Sequence, residues 1–220
     1  MTQTRLTNHG PLNQHYLNRM EQTLRGALAT HPRLTIVRID LRLPDNGSHS
    51  ENVLERDSVT FFANTGTNLI KRFIASLKAH IGADGYAKIR AGIRVHPCEV
   101  NYFWAREYSK NHKEHYHFAL TFNKDRFFTL GDYGNRNTLA GMIVQAWSSA
   151  LGLNTEDAAT LVHFPENPIY HLNHNAPREE FMMQLYPLLT RLSYLAKEKT
   201  KVYGTGQRNF GCSKPKKRWS

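Results

Sequence analysis

The chain has 220 residues, 40% of them apolar, with a net charge of +11 and an isoelectric point near 9.8. Such a length and apolar content fit one domain with extensions, and the basic balance points to a polyanionic partner, nucleic acid first and an anionic membrane surface second. No apolar run is long enough to span a bilayer, Met1–Arg5 begins no signal peptide, and Cys98 and Cys212 have no metal-binding spacing, so a reducing, cytoplasmic setting is expected.

Leu17, Met20, Leu24 and Leu28 recur at helical spacing and predict a helix over 12–29, ended by His31-Pro32. Residues 33–44 read as a strand, with Leu34, Ile36, Arg38, Asp40 and Arg42 on one face and Thr35, Val37, Ile39 and Leu41 on the other. Arg38 and Arg42 flank Asp40, which suits an ion-pair ladder better than a place beside an active site. After a polar loop over 45–57, Leu69, Ile70, Phe73, Ile74 and Leu77 predict a helix over 64–81, closed by Gly82-Ala83-Asp84-Gly85. Ile89, Ala91, Ile93 and Val95 alternate with Lys88, Arg90, Gly92 and Arg94, which predicts extended chain over 88–109 with a break at Pro97.

Strand continues through Tyr102-Phe103-Trp104 to Glu107, turns near 110–113 and returns over 115–122. The aromatic run can stack bases, although buried packing suits most of it better. A loop over 124–137 leads to a helix over 137–151, and residues 159–164 read as a short strand. The segment 167–175 is polar and His-rich; His171 and His174 are a weak pair of metal-ligand candidates. The last helix, over 178–201, should kink or divide at Pro187. Residues 1–32 are thus an N-terminal helical extension, 33–202 the main domain and 203–220 a basic tail.

Two patterns carry chemistry. His115 and His117 alternate on one strand and point to the same face, where two imidazoles can hold one metal ion. A hairpin returns Glu107 beside them and completes a His, His, carboxylate set with open positions. Tyr194 and Lys197 share a helix face, and the ammonium can steady a tyrosine oxygen or the phosphate it attacks. Chance alone yields either pattern about half the time in this composition, and the bland readings are surface histidines and a core tyrosine beside a solvated lysine. Their combination, in this order, is what carries weight. Phosphate-contact candidates are Arg38, Arg42, Arg90 and Arg94 on the strands and Lys214, Lys216, Lys217 and Arg218 in the tail.

The order strand, helix, hairpin, helix, strand, helix suggests an α+β fold: a ferredoxin-like (RRM-like) antiparallel sheet with helices packed on one face. From Arg38-Ile39-Asp40 to Phe210-Gly211-Cys212-Ser213 the chain resembles the YagK/YfjJ-type prophage proteins, related to inovirus replication proteins. More distantly it is similar to the His-hydrophobe-His (HUH) replication initiators and relaxases. That resemblance implies a rolling-circle initiator, with Mg²⁺ or Mn²⁺ at His115, His117 and Glu107, and Tyr194 attacking a single-stranded or melted origin to leave a 5′-phosphotyrosine. Lys197 matches the lysine of the Tyr-x-x-Lys motif. Tyr116 departs from the aliphatic residue usual between the histidines. No Gly-rich phosphate loop follows, so a host helicase and polymerase are the implied partners. The rival readings are a non-enzymatic DNA-binding protein and an RNA-binding module; the latter requires exposed Tyr102, Phe103 or Trp104.

Overall fold

The computed structural model describes residues 10–44, 63–109, 113–204 and 206–214. In chain order the elements are α1 (Gln14–Thr30), β1 (Arg33–Arg42), α2 (Leu69–Arg90), β2 (Asn101–Tyr108), β3 (Glu114–Asn123), α3 (Leu139–Leu151), α4 (Thr155–Leu161), β4 (Val162–His163), β5 (Ile169–Asn173), α5 (Arg178–Ser193), a 3-10 turn (Tyr194–Ala196) and β6 (Phe210–Cys212). They divide into two compact units. One comprises Met1–Leu41, Arg94–Leu130 and Phe164–Ser220; the other comprises Arg42–Ile93 and Gly131–His163.

The first unit is a mixed α+β structure on an antiparallel sheet. Its strands run in the order β1-β3-β2-β6, and β5 also pairs with β1. The β2–β3 hairpin sets Glu107 opposite His115 and Ala105 opposite His117, so all four side chains share a face. On that face Leu34, Ile36, Phe103, Ala105, Ala119 and Leu172 meet Met20, Leu24 and Ala27 of α1 and Leu188, Leu192, Leu195 and Ala196 of α5 and its turn. Each buried leucine contributes about 1.5–3 kcal/mol, so α1 packs on the main domain as part of this core. The Asn13 side chain caps α1 by accepting from Tyr16 N at 3.1 Å.

Five local expectations change. Helix α2 does not close at Gly82–Gly85 but continues to Arg90, burying Ile81 and Gly85 on its inner face. Its end is a left-handed Gly92, φ +73°, with Ile93 N bonded to Lys88 O at 2.9 Å. That is a Schellman-type stop, and the alternation over 88–95 belongs to a helix end rather than to a strand. Within 159–164 the strand is shorter than expected: only Val162–His163 form β4, and 159–161 end helix α4, capped by Asn154, whose Oδ1 accepts from Asp157 N at 2.8 Å. Residues 169–173, polar and without strand alternation strong enough to single them out, are strand β5, because β1 offers them an edge. Helix α5 runs through Pro187 without dividing. Finally, the basic tail expected from 203 onward is not free throughout: Asn209 is buried, and β6 pairs with β2. Gly211 admits that pairing, since a Cβ there would lie 2.7 Å from the Trp104 ring.

In the second unit α2 and α3 bury Phe73 against Trp147 edge to face, with ring centroids 5.6 Å apart. Gly141 permits the tight entry to α3, because a Cβ there would meet Asn135 O at 2.2 Å.

Candidate active site

The hairpin and the segment after α5 build one site. Glu107 is 1% exposed. Its Oε1 accepts from Lys201 Nζ at 2.7 Å, and its Oε2 lies 3.0 Å from Lys197 Nζ and 3.3 Å from His117 Nε2. The His117 contact lacks hydrogen-bond alignment, and Nε2 has no other partner among the described residues. His115 stands beside His117, ring centroids 4.8 Å apart and nearly perpendicular.

Each imidazole is held by its other nitrogen. His117 Nδ1 lies 2.5 Å from Asp40 Oδ1. Nδ1 lies closer to Asp40, which only accepts, than to Arg38 Nη2 at 2.9 Å, which only donates; the shorter contact puts the proton on Nδ1 and leaves the lone pair on Nε2. Likewise His115 Nδ1 lies 3.3 Å from the Lys113 carbonyl, which leaves its Nε2 for the site. Arg38 braces Asp40 from beneath: Nη1 donates to Asp40 Oδ1 at 2.7 Å and to Phe118 O at 3.1 Å. The ladder expected at Arg38–Asp40 therefore exists, and it also serves the histidine.

Burial alone would raise both carboxyls. For Asp40, the His117 contact and the Arg38 charge outweigh burial and hold it well below the usual carboxylate range. Glu107 is also held well below that range, with the Lys201 ammonium on its Oε1. Burial, then the neighbouring His117, lowers His115 and favours the neutral imidazole that a metal requires. One ligand atom from each of Glu107, His115 and His117 can be chosen so that all lie within 4.8 Å of one another. Two imidazoles and a carboxylate suit a divalent cation, and the unpartnered His117 Nε2 is the kind of buried atom such an ion would satisfy.

Tyr194 comes to the same place. Its ring meets His117 edge to face at 5.3 Å, and Lys197 Nζ lies 3.5 Å from its centroid. The pair does not share a helix face as the spacing predicts. Tyr194 opens the 3-10 turn, and Lys197 follows it in extended conformation. A cleft of about 590 Å³ opens here, lined by Gly10, Pro11, Tyr194 and residues 197–200. Its N-terminal wall is tied down by Asn13 N to Ala196 O at 2.7 Å and Glu198 N to Pro11 O at 3.0 Å.

The remaining candidates lie elsewhere. Arg38 is buried within the site rather than offered to a nucleic-acid surface. Arg42, Arg90, Arg94 and Lys214 are exposed, and Lys216, Lys217 and Arg218 fall outside the described residues. His171 is held by Thr35 Oγ1 at 3.1 Å and stacks on Phe128, while His174 meets Phe181 edge to face. Phe103 is fully buried and Trp104 is packed on Tyr116 and Gly211, so the aromatic run is largely packing. Asp40 and Lys201 are the site residues that sequence reading missed. Lys201, four residues past Lys197, repeats a helix-like spacing that was readable but had no motif to single it out.

Residues 1–213 match the family described as the YagK/YfjJ C-terminal domain. The chain belongs to that family. It is 42% identical over 208 residues to Uncharacterized protein YagK of Escherichia coli (strain K12), an overlap of 93% of this chain and 95% of the relative. It is 38% identical over 204 residues to Uncharacterized protein YfjJ of the same organism, covering 90% and 93%. No solved structure matches the chain. The YagK/YfjJ match spans α1, every residue of the site and β6.

Proposed function

We propose that this protein is an HUH-type DNA nickase and strand transferase, a phage or prophage rolling-circle initiator on a ferredoxin-like sheet. The observation that carries the reading is the meeting of Tyr194 with His117, Lys197 and Glu107 in one site. The placing of β3 between β1 and β2 supports the split βαβ arrangement of a ferredoxin-like fold. His115, His117 and Glu107 would hold Mg²⁺ or Mn²⁺, which when bound supplies Lewis-acid polarisation of a phosphate oxygen.

The chain's own residues do the rest. Asp40 and the Lys113 carbonyl fix the imidazoles, and Lys201 fixes the carboxylate. Tyr194 Oη attacks the scissile phosphorus in line; the new O–P bond forms as the bond to the 3′ oxygen breaks. The tyrosine proton goes to solvent, and the departing 3′ oxygen takes one up to become a hydroxyl. Lys197 neutralises charge on the phosphate. Three cations, Arg38, Lys197 and Lys201, face two carboxylates here, an excess of one positive charge that suits a phosphodiester. The exposed basic residues provide sequence-independent attraction to single-stranded DNA.

The test is nicking of labelled single-stranded origin DNA with Mn²⁺ or Mg²⁺. Protein linked to a 5′ end, lost in Tyr194→Phe and in EDTA, is the expected result; adduct formation by Tyr194→Phe would sink the assignment. One observation favours a second reading, non-enzymatic DNA binding: both Glu107 oxygens already have lysine partners, a network that can stand without an ion. That reading expects salt-sensitive DNA binding, indifferent to chelator and without cleavage.

A further inference from the structure

The two lysines on Glu107 are not equivalent. Lys201 reaches Oε1, and its side chain is wholly buried. Lys197 reaches Oε2 from the cleft side, with its side chain 10% exposed and its ammonium over the Tyr194 ring. Oε2 is also the oxygen 3.3 Å from His117 Nε2. Two donor atoms that far apart are spaced as adjacent ligands of one ion, each bond being about 2.1 Å. A divalent ion on Oε2 would then face an ammonium that sits 3.0 Å from the same oxygen. A doubly charged cation repels an ammonium about twice as strongly as a single carboxylate charge at the same distance attracts it. Lys201, on the far oxygen, has no such conflict and keeps the carboxylate oriented.

We propose that Lys197 and the divalent cation are alternative partners of Glu107 Oε2, so that loading the site releases the Lys197 ammonium to bind the DNA phosphate beside Tyr194. The proposal rests on the nickase reading for its use, but not for its test. Binding at one site that expels another partner is reciprocal: whatever the ion does to Lys197, Lys197 does to the affinity for the ion. Lysine is thereby a brake on metal binding and, once displaced, a phosphate ligand. An empty site keeps the cleft-side ammonium paired, and a loaded site presents it.

The experiment is Mn²⁺ titration of the full chain by calorimetry, with Lys197→Met, Lys197→Gln and, as a charge control, Lys124→Met. Both Lys197 variants should bind Mn²⁺ about tenfold or more tighter than the wild type, while Lys124→Met stays within about twofold. Gln keeps a donor to Glu107 without the charge and guards against a Met protein that fails to fold. In the wild type, Mn²⁺ should also steepen the salt dependence of single-stranded DNA binding by about one phosphate contact more than it does in Lys197→Gln. Unchanged or weaker Mn²⁺ binding in both Lys197 variants overturns the exchange. If wild type and variants alike bind no Mn²⁺, the exchange falls together with the metal part of the nickase reading. Tighter Mn²⁺ binding in a protein that never forms a DNA adduct upholds the exchange and removes only the nickase.

Discussion

Asp40 joins structure to chemistry at the scale of single residues. Its carboxylate fixes the His117 tautomer, so Asp40→Asn should lower Mn²⁺ affinity by about 10–100-fold while the protein still folds. Calorimetry beside circular dichroism separates the two effects. The same residue sets an acid limit. Asp40 and Glu107 are held below their ordinary range, so their stabilisation is complete above the unfolded values, about 3.9 and 4.3, and is lost as pH falls toward the folded ones. Melting temperature in EDTA should therefore hold from pH 7 to near 5 and then drop, with a shallower drop in Asp40→Asn. Cys98 behaves oppositely: burial pushes its thiol up to about 11. At pH 8 iodoacetamide should modify it on the order of a hundredfold more slowly than an ordinary thiol. Peptide mapping after timed alkylation reads that rate. His115, His117, Glu107, Tyr194 and Lys197 were legible as candidates because strand parity and local spacing express them. Asp40 was legible only as a ladder residue, since its partner lies 77 positions away.

At the scale of elements, two positions test how the chain tolerates its own exceptions. Pro187 lies on the exposed side of α5, in the helix interior, and removes one backbone donor there. Pro187→Ala should stabilise the protein by about 1–3 kcal/mol in urea titration, because it restores a helix donor and removes the ring's clash with the preceding turn. Gly141→Ala should destabilise by a similar amount, because its Cβ would overlap backbone atoms of Asn135 and Arg136, which cannot yield as a side chain can. Element identity was read correctly where the apolar period was strong: α1, β1, the β2–β3 hairpin and α3. It failed at 88–95, where a helix end happens to alternate, and at 169–173, where a polar segment becomes a strand only because an edge awaits it.

At the scale of the whole molecule, two C-terminal truncations test the proposed DNA binding and the fold separately. Deleting residues 215–220, which carry Lys216, Lys217 and Arg218, should weaken single-stranded DNA binding and flatten its salt dependence by about 2 in log–log slope. Cutting back to residue 202 should instead impair folding. It removes β6 and Asn209, whose Oδ1 accepts from the buried Arg106 at 3.1 Å. Fluorescence anisotropy over a salt series and a melting curve tell these losses apart.

By itself the sequence determined the mixed α+β class, the basic character, the hairpin that turns Glu107 and both histidines to one face, and the proximity of Tyr194 to Lys197 along the chain. All of these are local or periodic: each depends on side-chain alternation, helical spacing or summed charge. Only the tertiary structure decided that Asp40 orients His117, that Lys201 grips Glu107 and that the N-terminal segment walls the cleft beside Tyr194. Those contacts join residues far apart in the chain. They form because burying α1, α5 and the sheet on one core leaves a few charged groups enclosed, and an enclosed charge persists only with a partner.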